Sequence, residues 1–469
     1  MRKREDFVNA LNSAEWASRE FAGATLGDAR LDRRAAIMAS DFAAHPGAPI
    51  REACPSKSAS NAAYAFIENP FIQPEAVLQG HVQATLERLR PEPIILAPSD
   101  TSAFNYSGLV QTSDLGPIGT DQCPDQRGLW VHATLALTPQ GLPLGLLQVR
   151  CWNRPEGSAD RRDRHQKSFE EKETVRWRES WQACQALRAQ LPEGTLLLNI
   201  TDMEGDIYEV FAAALAQPQP RAEVLIRARH NRQLADHEKR LWDYVHQQKV
   251  AATIQVRVPA HEKQPARNAT LHVRFSAVTV EAPERKAGQP ALSLWAVEAW
   301  EVHPPKGAKR LVWHLLSSLP VTTAEAAVEK VTYYARRWTI EVLHKILKSV
   351  CRAEDHQMEE GTNLRRMLML DYLVAWRIQV LTQVGRQNPD LPANVYFPES
   401  EWKALRSFID KTRKVPEQPP GLGQVMQWIG KLGGFVKNKA NPYPGAITLA
   451  RGLRRLDDLA AMWEIQNTR

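Results

Sequence analysis

Residues 93–317 carry one short apolar run of strand character after another, and segments with the period of a helix stand on both sides of them. The runs at 129–137 and 142–152 flank the turn Thr138-Pro139-Gln140-Gly141, which predicts a hairpin. Strands are also expected at 93–97 and at 195–200, the second followed by a helix over 206–216. A strand leading into a helix is the unit of an α/β sheet. Runs at 224–228, 253–258, 271–280, 292–302 and 311–317 then follow without helices and read as a β-rich insertion. The charged stretch 229–249 and the Pro/Lys-rich segments near Gly288 and Pro304 read as loops.

The helical flanks differ in character. In the first ninety residues, breaks at Gly27, Pro46-Gly47 and Pro70 separate short helices, giving a small all-α module. Leu31, Ala35, Met38 and Phe42 share one face there, with Arg30, Arg33 and Arg34 toward the other. A single helix is expected from the capping box Thr322-Thr323-Ala324-Glu325 to about Val350, and another over 363–384. A last amphipathic segment aligns Leu449, Leu453, Leu456, Ala460 and Trp463, a face expected to join two subunits.

Composition narrows the class. A chain of 469 residues exceeds one ordinary core, and 60 Lys plus Arg against 53 Asp plus Glu leave a charge of +7, a bias toward polyanions. The five cysteines are scattered, without the paired spacing of a zinc site, as expected in a reducing cytoplasm. Met1-Arg2-Lys3-Arg4 is followed by acids rather than an apolar segment, and no apolar run is long enough for a bilayer.

Two aspartates, Asp100 and Asp202, are expected just past the ends of the strands at 93–97 and 195–200, where α/β sheets gather ligands. Singly, either could be a turn or helix cap. On one straight helix from Thr322, Tyr334, Arg337, Glu341, Lys345 and Lys348 would fall within an arc of roughly 80°. That stripe suits a metal-bound phosphodiester as well as a solvated face with Glu–Lys pairs of about 0.2–0.5 kcal/mol each.

The spacing Tyr334-x2-Arg337-x3-Glu341-x6-Lys348 resembles the Tyr-Arg-Glu-Lys signature of DDE transposases of the Tn-five type. Matches elsewhere fall in order: Leu26-Gly27-Asp28, Tyr64-x-Phe66-Ile67-x-Asn69-Pro70, Asp100-Thr101, Arg127-Gly128-x-Trp130-Val131-His132, Asp202-x-Glu204-x-Asp206-Ile207, Pro304-Pro305-Lys306-Gly307 and Leu432-Gly433-Gly434-Phe435. The resemblance implies an RNase H-like α/β core with a mixed sheet and a β-rich insertion at about 222–320. That core would span 76–388, between an all-α DNA-binding module (1–75) and a mainly α dimerisation region (389–469).

By the same resemblance Asp100, Asp202 and Glu341 are the catalytic, metal-binding triad for two Mg²⁺ ions, with Mn²⁺ as a substitute; Glu204 and Asp206 are the nearest competitors for the second place. Trp313 stands where the family stacks a flipped base. Tyr334, Arg337, Lys345, Lys348, Arg227, Arg229, Trp130, Arg30, Arg33 and Arg34 are the expected DNA contacts. The implied activity is binding of terminal inverted repeats, nicking, hairpin formation and opening, and joining of 3′-OH ends to target DNA. Its setting would be a homodimer at the bacterial nucleoid.

Departures from the family pattern are Pro98-Ser99 before Asp100, Ser102, and Arg336 beside the signature arginine. The competing readings are a structure-selective RNase H-like nuclease, which would share the triad, and an inactive regulator that occupies transposon ends.

Overall fold

The structure is a computed structural model that describes residues 15–119, 123–155, 167–258, 266–438 and 442–467. The N-terminal helices are α1 (Trp16–Glu20), α2 (Ala29–Ala44), α3 (Ile50–Ala53), α4 (Lys57–Ile67) and α5 (Gln79–Leu89). Asp28 starts α2 by accepting the Arg30 N–H, and the helix buries Ala35, Met38 and Phe42 as the periodicity predicts. Beyond them the described residues form β1 (Ile94–Asn105), β2 (Gly116–Pro117), β3 (Arg127–Leu137), β4 (Pro143–Trp152), α6 (Val175–Arg188), β5 (Leu196–Thr201), α7 (Tyr208–Leu215) and β6 (Glu223–Arg227). Next come α8 (Leu241–His246), β7 (Ala252–Val258), β8 (Arg267–Val280), β9 (Leu292–Glu301) and β10 (Val312–Ser317). The chain continues through α9 (Ala324–Ala335), α10 (Trp338–Ser349), α11 (Gly361–Gln387), α12 (Glu399–Asp410), α13 (Leu422–Leu432) and α14 (Ala446–Asn467).

All ten strands belong to one mixed sheet in the order β2-β3-β1-β5-β6-β10-β9-β8-β7, with β4 on β3. β1, β5 and β6 are parallel; β3 and β10 flank them antiparallel. This is the mixed-sheet α/β architecture expected from the strand pattern. The strands of 222–320 extend the central sheet rather than forming a layer of their own, and α8 lies within the stretch read as a loop.

The 27-residue helix α11 is the axis of the packing. It is buried around nearly its whole circumference, as a helix inside a large core must be. Its Arg366 donates to the carbonyls of Ile67 and Ile72, placing a cation at the C-terminal end of α4, where the helix dipole favours one. Its Trp376 indole N–H donates to Pro143 at the start of β4.

The face of α14 expected to join subunits is turned inward instead. Leu449 and Leu456 are buried, and Leu453 packs on the same core, because α12 and α13 cover that stripe. Ile447, Met462 and Ile465 are the large apolar side chains that α14 leaves exposed. No helix of the described residues is long and apolar enough to cross a membrane.

A buried polar network binds α1 to the sheet. Glu20, 1% exposed, accepts from Arg88 at 2.6 Å and from His81 Nδ1 at 2.6 Å. Arg88 also donates to the Leu144 carbonyl, and His81 Nε2 accepts the Leu146 N–H, so both donors are anchored on β4. Burial alone would raise the Glu20 carboxyl, but Arg88 and His81 outweigh it and hold it at about 2, below its ordinary 4.5. A depressed carboxylate contributes stability that is complete above the unfolded value and lost as pH falls toward the folded one. The stability gap between wild type and Glu20→Gln should therefore be full above about pH 4.5 and narrow by roughly 3 kcal/mol toward pH 2, measured by urea unfolding. A gap independent of pH would contradict this.

Candidate active site

Parallel pairing of β1 with β5 sets the site. The register ends at Pro98 opposite Ile200, so Asp100 and Asp202 both come two residues past the last pair, at the carboxyl end of the parallel strands. Asp100 is not past the end of its own strand, as the sequence suggested. β1 runs on beyond β5 because β3 keeps it paired, with Asp100 opposite Ala133. Asp202 does follow β5, and it caps a one-turn helix by accepting the Glu204 N–H at 2.8 Å, using one of its two carboxylate oxygens.

The third acid arrives through a break in the expected helix. The cap is Thr323, one residue later than the capping box predicted, and α9 ends at Ala335. Arg336 and Arg337 donate their N–H groups to Tyr333 and Tyr334, three residues back, and α10 starts at Trp338. Arg336 is drawn aside, its Nε donating to the Pro139 carbonyl in the β3–β4 turn. The single straight stripe is thus corrected: Tyr334 closes α9, Arg337 is the N-cap of α10, and Glu341 sits in the first turn of α10, where the helix dipole favours a carboxylate.

Arg337 is what the carboxylates share. It is ion-paired with Glu341 and lies 3.8 Å from Asp100 Oδ1. Burial pushes the Asp202 carboxyl up against the opposing pull of the Glu204 N–H and Arg337, and the charges of Asp100 and Glu204 add smaller upward pushes. Glu341 is likewise raised by burial and then by Asp100. Burial would lower Arg337, yet Tyr334 and all three acids act on it and its net shift is upward. One guanidinium therefore serves three part-buried carboxylates, and their charge exceeds what it neutralises.

Such a set fits a hard divalent cation: it offers only oxygen donors and a surplus of negative charge. Among the described residues no three His, Cys, Asp or Glu side chains converge as ready ligands. The acids are disposed around Arg337, which holds positive charge in their midst.

Glu204 and Asp206 meet partners other than those of Asp202. Glu204 pairs with Arg176 at 2.8 Å, and Arg176 in turn donates to Thr101, clipping the turn after β5 onto β1. Asp206 is buried, accepts the backbone N–H groups of Arg229 and His230, and pairs with Arg232 at 2.5 Å. Both acids are thereby occupied in shaping the loops around the site.

Three protein-family models match the chain: Transposase DNA-binding over residues 13–72, Transposase DDE domain over 211–376, and Transposase Tn5 dimerisation domain over 373–464. The chain belongs to the DDE transposases of the Tn5 type. The DDE match includes Glu341 and begins after Asp202. A DDE domain makes the transposase dependent on divalent metal.

The predicted DNA-contacting residues of the transposase divide into groups. Trp313 meets Tyr334 edge-on at 5.0 Å, the Arg337 guanidinium is 6.0 Å from the Tyr334 ring, and Arg227 donates to Val312 beside them; these residues border the carboxylates. Lys348 donates to the Ala103 carbonyl farther along β1 and pairs with Glu354, while Lys345 is exposed on α10. Trp130 has one face covered by Arg154 at 4.0 Å, and the Arg229 backbone is held by Asp206. Arg30, Arg33 and Arg34 lie on α2, within the matched DNA-binding segment, with Arg30 paired to Asp28.

The sequence pattern did not single out His344 or Arg176, and it gave His132 only within a motif. His344 lies one turn after Glu341 and could have been noticed; Arg176 and His132 meet Thr101 only through tertiary folding. The division of labour among the acids is testable by chemical denaturation. Asp206→Ala, which strands a buried Arg232, should destabilise the fold by about 3–5 kcal/mol. Asp202→Asn, which keeps an oxygen for the Glu204 cap, should change stability by less than about 1 kcal/mol.

Proposed function

We propose that Asp100, Asp202 and Glu341 are the metal-binding catalytic triad of this transposase, with Mg²⁺ as the natural cation, two ions per site, and Mn²⁺ as a substitute. The observation that carries this reading is the sharing of Arg337 among three acids that the parallel β1–β5 register and the break before α10 bring together. When bound, a pair of divalent ions supplies an activated attacking oxygen and a stabilised leaving oxygen at the phosphodiester.

The chain's own residues do the rest. Arg337, which stands beside Asp100 and Glu341, would offer a planar fork to the scissile phosphate. Tyr334 and Trp313 form an aromatic corner beside that phosphate, where a base drawn from the stack can lie; such stacking is worth about 1–3 kcal/mol per base. Arg227, Arg229, Lys345 and Lys348 add positive charge around the corner, and Trp130 borders the strand bearing Asp100. Arg30, Arg33 and Arg34 grip the terminal repeat through its backbone.

The sequence of events is nicking, attack of the freed 3′-OH on the opposite strand to give a hairpin, hairpin opening, and joining of the 3′-OH to target DNA. The transposase works as a homodimer, and the exposed Ile447, Met462 and Ile465 of α14 are the apolar side chains offered to the second subunit.

Asp202→Ala is expected to bind terminal-repeat DNA as wild type does and to lose cleavage in Mg²⁺ by at least about 1,000-fold, judged against the energies of transition-state charge stabilisation. Gel shift and strand-cleavage assays read the two properties, and residual cutting at wild-type rate would refute the triad. Trp313→Ala should depress hairpin formation more than first-strand nicking, followed on denaturing gels; equal loss of both would speak against base stacking there. Joining of a pre-cut end to target DNA separates a transposase from a nuclease of the same fold.

A further inference from the structure

Asp100 has two carboxylate oxygens, and a different side chain approaches each. Arg337 Nη1 is 3.8 Å from Oδ1, and His344 Nδ1 is 3.5 Å from Oδ2. His344 follows Glu341 by three residues on α10, so both project from one face of the helix toward β1. Its side chain is 8% exposed, and its ring stands perpendicular to that of Tyr372 on α11, with centroids 6.2 Å apart. Tyr372 is itself fully buried, so α11 backs the imidazole against the site.

The far nitrogen decides the orientation of the proton. His344 Nε2 is buried and meets no hydrogen-bond partner. A proton there would be a stranded donor, whereas a proton on Nδ1 faces a carboxylate oxygen. The ring thus presents Nδ1–H to Oδ2.

We infer that His344 is a positioning residue for Asp100, holding the plane of its carboxylate so that Oδ1 faces the place shared by Asp202, Glu341 and Arg337. Arg337 is also paired with Glu341, whereas His344 is held between Asp100 and the buried Tyr372. Groups that orient a ligating carboxylate from behind typically change metal affinity or activity by about 10–100-fold when removed. The inference rests on the reading of Asp100 as a metal ligand.

The test measures Mn²⁺ binding to the full-length protein on its terminal-repeat duplex, from the EPR signal of free Mn²⁺. His344→Leu fills the site of the ring without a donor, His344→Asn places an amide nitrogen where Nδ1 was, and His344→Gln places one nearer Nε2. The expected result is Mn²⁺ binding weakened by about 10–100-fold in His344→Leu and in His344→Gln, and largely restored in His344→Asn, with terminal-repeat binding unchanged in all three. Wild-type affinity in His344→Leu, or equal loss in His344→Asn and His344→Leu, would overturn the inference. Should His344→Leu fail to fold, the Asn and Gln variants decide the matter, since equal Mn²⁺ affinity in those two is equally fatal. Asp100→Asn is the control for the underlying reading: if it binds Mn²⁺ as wild type does, the triad assignment falls, and the inference with it.

Discussion

Like charges crowded at the carboxyl end of a parallel strand pair are the condition around which this protein is arranged. Asp100 and Asp202 are forced together by the β1–β5 register, and Glu341 is added by α10. Without compensation the three would repel one another in a part-buried setting, where such repulsion is stronger than in water. Arg337 is the compensation, and it stands as the N-cap of α10, where the chain turns after α9. The strain between neighbouring acids is then the same property that gives the site its appetite for cations.

The surrounding loops are held by acids of a second kind. Asp206 gathers two backbone N–H groups and Arg232, while Glu204 and Arg176 fasten the turn after β5 to Thr101. Each of these carboxylates has a cation of its own, whereas Asp100, Asp202 and Glu341 share Arg337. Farther out, the Glu20–His81–Arg88 network joins the N-terminal helices to β4 with the same economy of means.

Much of this was legible in the residues themselves. Alternation and turn chemistry located the strands that build one sheet, and the periodicity of α2 named its buried face, because local patterns record which side of an element meets the core. The spacing of Tyr334, Arg337 and Glu341 pointed to a site before its geometry was known. What escaped depends on partners distant in sequence. Nothing local to Arg336 announces that its side chain will meet the Pro139 carbonyl where the helix breaks. Nothing in 93–97 shows that β3 will carry β1 past Asp100. The amphipathic stripe of α14 puts Leu449 and Leu456 against the chain's own α12 and α13, since a stripe says that a face is covered but not by what.

The helix α11 has a mechanical meaning as well as a packing one. The DDE and dimerisation matches overlap at residues 373–376, in the middle of that uninterrupted helix, which is about 40 Å long at 1.5 Å per residue. A rod of this kind leaves no joint at the boundary between the part that cuts and the part that pairs. The segment matched as dimerisation domain and the segment matched as DDE domain therefore share one continuous helix, and a displacement of either end of that helix is carried to the other.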